Sequence, residues 1–483
     1  MVRLTGFSAI FLAAISCETS TKSPSTDSSP GTTPPVVADG HDWIRFNVDE
    51  GRSGVFPSPV GIVADSLASM RRQQVSLDGT VDASPIYLHG VTVNGAAHDV
   101  FFVTTTYGKT IAIDANDGSI LWEFTPPNYS SWAGSYRVTT ATPVANPDRS
   151  AIYAASPDGK IQKLAVADGR VLWSTAITLL PTREKIASAL NFSRGHVIAV
   201  TGGYIGDAPP YQGHVALLDA ASGSLTRVWN SLCSDRSTLI DPSSCSASGS
   251  AMWGRAGAVI DTTTGNILVA TGNARWDGQT NWGDAVLALD ASGARLVANY
   301  TPTNTETLNS TDADLGSTSP VMLDATHAVQ GGKDGRLRVL DLRSLGDGTA
   351  HRGGENQSVS TPSGSALFTA PAIWRRGGDT VWVFAADNGG TAAYTYRGGT
   401  LTKAWSATSA GTSPVVAGGM LFVYDPGGTL RVFEPTTGKP LGQLSAVGGH
   451  WNSPIVADRR VALPEGNANS HNTNGVLNIW RMP

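Results

Sequence analysis

Cysteine is scarce: the 483 residues contain three. No CxxC or CxxCH occurs, which excludes a zinc ribbon and a covalently attached c-type haem. Charged residues make up only 15% of the chain, and the 34 Lys and Arg are outnumbered by 39 Asp and Glu. That balance excludes the clustered cationic surface by which nucleic-acid binders displace counterions from phosphates. Long apolar runs are missing too. The longest near the start, residues 6–15, is about ten residues, half of the roughly twenty that span a hydrocarbon core. What the sequence has in quantity is turn formers, with 54 Gly and 27 Pro, and 41% hydrophobic residues to build a core. Such a composition is poor in the charged helix formers of a bundle and too apolar for disorder over most of its length.

Residues 1–16, MVRLTGFSAIFLAAIS, combine an early Arg3, a short apolar run and small residues ahead of Cys17. This pattern reads as an export signal. Ala14-Ile15-Ser16-Cys17 is similar to a bacterial lipobox, which makes Cys17 the expected lipid attachment site, with plain secretory cleavage as the alternative. Residues 18–40, rich in Ser, Thr and Pro, hold almost nothing to bury and are expected to form a tether. The expected location is therefore the periplasm or cell surface, with the membrane engaged only through the lipid. Cys233 and Cys245 remain, twelve positions apart in a polar loop, and export favours a disulfide between them.

From about residue 42 the chain repeats itself. The clearest copies are IAIDANDGSILW (111–122), KLAVADGRVLW (163–173), ALLDAASGSLTRVW (216–229), ALDASGARLVANY (288–300) and VFEPTTGKPLGQL (432–444). Each pairs a strand with an Asp-to-Gly turn and a second strand ending in Trp or another large residue. Eight small-residue pairs precede apolar strands: Ser84-Pro85, Thr142-Pro143, Ser188-Ala189, Ala256-Gly257, Ser319-Pro320, Ala370-Pro371, Ser413-Pro414 and Ser453-Pro454. Small residues suit strands that converge on an axis. The prediction is an all-β fold, an eight-bladed β-propeller over 41–483, with seven blades as the competing count. The last unit is long enough for three strands, so pairing of the N- and C-terminal strands is expected to close the ring, with residues 42–47 (DWIRFN) as the missing strand.

The repeat resembles the pyrroloquinoline-quinone (PQQ) propeller family, which includes quinoprotein alcohol dehydrogenases and noncatalytic relatives, over roughly 80–483. Residues 251–340 carry the resemblance in detail. Trp253-Gly254 is similar to the family's T-x-W-G segment, which implies Trp253 as the surface beneath the quinone. Ala270-Thr271-Gly272-Asn273 with Trp276 is similar to the segment that supplies a metal-binding asparagine, Asn273. The pair Asp312 and Asp314 resembles the D-x-D segment, implying Asp312 as catalytic base and Asp314 as metal ligand. Lys333, before Asp334-Gly335, resembles the basic residue that touches the quinone, and Asp82 resembles the acidic residue ahead of the first inner strand. The implied cofactor is PQQ with calcium or a lanthanide. A hard cation takes oxygen ligands, an ionised carboxylate accepts an alcohol proton, and an indole face stacks a flat ring.

Three family features have no counterpart. No two cysteines are adjacent. The glutamate expected in the third unit is absent unless Asp207 replaces it. The arginine expected at the second inner strand is replaced by the stretch 139–142, with Arg137 nearby. Arg255, one residue ahead of its opener, is placed to point toward the axis. Two readings follow: an alcohol-oxidising enzyme with a small molecule in the funnel, or a scaffold binding envelope proteins through its rim, in either case a monomer.

Overall fold

The computed structural model describes residues 41–483. Met1–Ser16, Cys17 and the 18–40 tether lie outside the described residues. Eight four-stranded antiparallel sheets follow one another along the chain. In each of the first seven, four strands in chain order form a meander that runs outward from the axis, interrupted only in the third, where Gly202–Gly203 pairs instead with Glu184–Lys185. These blades cover 86–124, 144–176, 191–230, 259–300, 321–360, 372–407 and 415–445. Six of the eight small-residue pairs sit immediately before an innermost strand and the other two, Ser188-Ala189 and Ala256-Gly257, one residue earlier, so the number of blades is eight. An eight-bladed ring leaves the least lateral room at its inner strands, and the pairs meet that limit with Ala, Ser, Thr, Gly and Pro.

The eighth blade closes the ring, though not with the strand expected. Its outermost strand is Arg71–Leu77, paired antiparallel with Gly475–Arg481 from Arg71↔Arg481 to Leu77↔Gly475. Val75 and Leu77 alternate inward while their neighbours face outward. Closure removes the sheet edges that would otherwise invite pairing between molecules.

Residues 42–47 do something else. They begin a strap, 42–60, that runs across the C-terminal ends of the inner strands. Its backbone hydrogen-bonds Tyr87, Ala145 and Ile260 of blades 1, 2 and 4 at 2.9–3.0 Å. It then reaches Ile373, Val416 and Arg459 beside blades 6, 7 and 8 at 2.6–2.8 Å. The third blade is reached through Arg52, fully buried, whose guanidinium donates to the Phe46 and Leu190 carbonyls at 2.8 and 2.9 Å. Alternation of apolar and polar residues in DWIRFN reads as a strand. In the fold it reflects instead a chain that buries Trp43, Ile44 and Phe46 in three different hydrophobic clusters.

Blade-to-blade docking follows from the repeat. The closing Trp of one blade lies against the turn glycine of the next: Trp122 on Gly169, Trp173 on Gly223 and Trp405 on Gly438. A methyl group on any of those glycines would fall 2.5–2.6 Å from the indole. Each indole N–H also donates to a carbonyl of that same turn, Val166 at 2.9, Ala220 at 3.2 and Pro435 at 2.8 Å. The glycine of the repeat therefore serves twice, by taking a positive φ and by admitting its neighbour's ring. Cys233 and Cys245 form a disulfide, as the sequence indicates. Among the described residues no helix is long and apolar enough to cross a membrane.

Candidate functional site

The segments that enter the inner strands converge at the N-terminal end of the ring, opposite the strap. They enclose a cavity of about 620 Å³, within the range of small-molecule sites. Trp253 and Arg255 come from the approach to blade 4, Asn273 from the loop after strand Ile267–Ala270, and Lys333 from the turn after His327–Gln330. Asp312 and Asp314 follow the short helix Thr305–Ser310.

Four of these side chains form one cluster. Lys333 Nζ lies 3.0 Å from Asp312 Oδ1 and 2.5 Å from Asp314 Oδ2. Asn273 donates through its side-chain amide to Asp312 Oδ1 at 2.9 Å and through its backbone N–H to Asp314 Oδ1 at 2.7 Å. A side chain at Gly272 would strike the Asp314 carboxylate, so glycine there lets the two segments meet. Asn273 Oδ1 is left buried without a hydrogen-bond partner among the described residues. Burial pushes the Asp314 carboxyl up, against the pull of Lys333. The Lys333 ammonium is opposed by burial but raised overall by Asp314 and Asp312. Asp312 is the open member, with 69% of its side chain exposed, and holds a positive φ of 54°. Aspartate tolerates that conformation better than most residues, and it aims the carboxylate at the cavity mouth.

An aromatic wall adjoins the cluster. Trp253 lies 5.9 Å from Trp451 and 6.0 Å from Phe368, and Phe368 and Trp451 stack at 5.1 Å with 17° between planes. Lys333 Nζ sits 5.3 Å from the Trp253 ring centroid, and the Arg255 guanidinium 4.7 Å from that of Trp451.

Asp82 is placed differently from its neighbours in the sequence argument. Its carboxylate is fully buried and does not line the cavity. It pairs with Arg255 at 2.9 Å, and accepts from His450 Nδ1 at 2.7 Å and the Ala468 N–H at 2.9 Å. Burial opposes its charge, but Arg255 and His450 prevail and hold the carboxyl well below the usual range. Asp82 is thus one layer behind the cavity, where it fixes Arg255. Of the two residues weighed as replacements, Asp207 lines the cavity but takes the Tyr211 hydroxyl at 2.9 Å. Arg137 donates to the Pro157 carbonyl at 2.9 Å and is not part of the lining. No sequence motif singles out Lys185, Phe368 or His450. Only the ring topology brings these to the axis.

Comparison with known proteins agrees with this fold. A family model described as outer membrane protein assembly factor BamB matches residues 79–230. Polyvinylalcohol dehydrogenase of Sphingopyxis sp. (strain 113P3) is 23% identical over 206 residues, 40% of this chain. The solved quinohemoprotein alcohol dehydrogenase of Comamonas testosteroni superposes with a TM-score of 0.65 at 16% identity, over 92% of this chain and 82% of that one. This chain has the fold of a PQQ-like β-propeller. A europium-containing methanol dehydrogenase shares the propeller as well, with a TM-score of 0.63 at 15% identity over 92% of this chain and 98% of its own. The matched stretch of the Sphingopyxis protein is 30% of that protein's length.

Proposed function

We propose that this PQQ-like propeller holds a planar quinone in its cavity beside a hard cation and oxidises a hydroxyl group of its substrate. The observation that supports this most is the convergence of Asn273, Asp312, Asp314 and Lys333 beside Trp253, with Asn273 Oδ1 left without a partner. An unpartnered amide oxygen next to two carboxylates suits an oxygen-preferring cation such as calcium or a lanthanide. Asn273 and Asp314 would hold it, and Trp253 would carry the ring. When bound, the quinone supplies a two-electron acceptor and the cation a Lewis acid. The chain's own part is acid–base and positional. Asp312, open to the mouth, takes the hydroxyl proton. Lys333 holds that carboxylate in place through its 3.0 Å contact, and Asp314 anchors Lys333 from the buried side. The names of the similar proteins, an alcohol dehydrogenase, a methanol dehydrogenase and a polyvinylalcohol dehydrogenase, support an alcohol as substrate.

The test is reconstitution. Purified protein is mixed with PQQ and either calcium or europium, desalted, and assayed for retained quinone absorbance. Dye reduction is then measured with short alcohols and with polyvinyl alcohol. Retention with alcohol-dependent dye reduction supports the reading, and no retention with either metal overturns it.

A second reading is a scaffold that binds envelope proteins by its rim, supported by the BamB description of the model matching 79–230. Both readings include export as a monomer lipidated at Cys17. Incorporation of a labelled fatty acid that is lost in Cys17→Ser is the expected result, and an unlabelled wild type would refute the anchor.

A further inference from the structure

The strap buries positive charge that no carboxylate touches. Arg45 is 7% exposed and Arg52 0%, and the hydrogen bonds they make go to neutral oxygens. Arg45 Nη1 donates to Asn191 Oδ1 at 3.0 Å and to the Phe192 carbonyl at 2.7 Å. Arg52 gives its terminal nitrogens to the Phe46 and Leu190 carbonyls. Contacts to three successive residues, 190–192, bring the two guanidinium groups side by side at the third blade's inner strand. Neither forms an ion pair among the described residues. Asp49 and Glu50 favour these charges only from a distance, and the Asp49 carboxylate is already engaged by the Ser53 N–H at 3.0 Å and by the Ser53 hydroxyl. Three donors are left over. Arg45 Nε, Arg52 Nε and the Asn47 amide, which is 2% exposed, are buried with no hydrogen-bond partner among the described residues, Asn47 at both its nitrogen and its oxygen. The backbone around them is strained as well, with positive φ at Asn47 (50°), Val48 (75°) and Arg52 (60°). Asparagine tolerates that region. A β-branched valine does not, and such a conformation persists only where its surroundings over-determine it.

We propose that the strap segment 45–52 encloses a small monovalent anion of the size of chloride, held by Arg45 Nε, Arg52 Nε and the Asn47 amide N–H. Two adjacent buried cations without a counter-charge are costly, so they are expected where a ligand brings the negative charge. Water would satisfy the donors and leave the charge; an anion answers both. Three N–H donors against one acceptor oxygen also suit an anion and not a metal ion. Burial and then the Arg45 charge push the Arg52 guanidinium down to about 9, so at neutral pH it is still charged. Burial lowers Arg45 too, against the pull of Glu50 and Asp49. A site this closed to solvent favours a halide, which sheds its water more readily than a divalent oxyanion. The ion pins the strap to the third blade at the end of the ring opposite the cavity, so the site is independent of any quinone or alcohol.

Thermal unfolding of the whole protein tests this, in gluconate buffer of fixed ionic strength with chloride or bromide titrated in. The unfolding temperature should rise and saturate, by about 3 °C when the halide is at roughly a hundredfold excess over its dissociation constant. Crystals grown with bromide should show an anomalous peak beside Arg45, Asn47 and Arg52. Removing either arginine risks the fold, so the informative variant is Asn47→Asp, which supplies the negative charge from the chain and tolerates the same backbone conformation. It should fold, unfold no lower than wild type without halide, and lose both the halide response and the bromide peak. A wild-type unfolding temperature indifferent to both halides, with no peak at the strap, would overturn the site. A saturating response that survives in Asn47→Asp would place the ion elsewhere and overturn it equally.

Discussion

Arg255 Nη2 lies 2.9 Å from Asp82 Oδ1, joining the approach to blade 4 with the approach to blade 1 across the funnel. The two residues are 173 positions apart, and both are buried. Ion pairs of this kind are weak evidence for net stabilisation, but removing one partner leaves an uncompensated charge in a low-dielectric setting. Asp82→Ala should therefore destabilise the protein by about 3–5 kcal/mol. Because the folded carboxyl is held below its unfolded value, its contribution is fully present above about pH 4 and fades as the pH falls further. Equilibrium denaturation of wild type and variant at pH 7 and pH 3 checks both parts: the gap should be wide at pH 7 and narrower at pH 3. An equal gap at both values would show that the charge is not what matters.

Glu184 gives the opposite sign. It is 1% exposed, accepts from the Gln212 N–H at 3.2 Å and from the Thr178 hydroxyl, and burial pushes its carboxyl up to about 7. A raised carboxyl favours folding while protonated and costs stability as the pH rises from its unfolded value, about 4.3, through 7. Glu184→Gln stays neutral throughout. Relative to wild type it should be near-neutral at pH 5 and stabilising at pH 8.5, on the order of 2–3 kcal/mol at most. Thermal unfolding at the two pH values is the measurement, and a difference that does not grow with pH would refute the assignment.

The parts of this fold that were legible in the sequence are those set by short-range geometry. A turn needs Asp and Gly at fixed spacing, a crowded inner strand needs small residues, and an indole needs a glycine to lie on. Gly169, Gly223 and Gly438 meet two of those demands at once. The pairing partner of the last strand was not legible. RRQQVSL (71–77) and DWIRFN (42–47) are both short and alternating, and only the path of the strap distinguishes them. At the site, the motif-bearing Asn273, Asp312, Asp314 and Lys333 were found because they cluster within some sixty residues. Lys185 and Phe368 were not, because each is one residue of an unremarkable strand or loop, and its meaning arises from neighbours far along the chain.

The strap makes its own prediction. Arg52 is 0% exposed and bonds two carbonyls, Phe46 and Leu190, which lose their donor if the side chain is removed. Arg52→Ala combines that loss with a cavity, and should cost about 3 kcal/mol or more. Since the strap and the ligand cavity lie at opposite ends of the inner strands, ligand retention at a temperature where the variant is folded should be unchanged. Denaturant unfolding and retention of PQQ with calcium measured on the same preparation separate the two effects, and weakened retention by a fully folded variant would contradict that independence.

Asn273 and Asp312 touch each other at 2.9 Å, yet they should fail in different ways when altered. Asn273 offers the buried unpartnered oxygen, so its loss removes a cation ligand. Asn273→Ala is expected to lose retained europium luminescence and, with it, quinone. Asp312 is exposed at the mouth and has the acid–base role, so Asp312→Ala should keep both ligands. Its turnover should fall by a factor of about 10²–10⁴, the usual contribution of a positioned base. If Asp312→Ala instead lost metal along with turnover, Asp312 would belong to the coordination set and the base would have to be sought elsewhere in the cavity. Asp207 would then be the next carboxylate to substitute, since it too lines the cavity and already holds the Tyr211 hydroxyl.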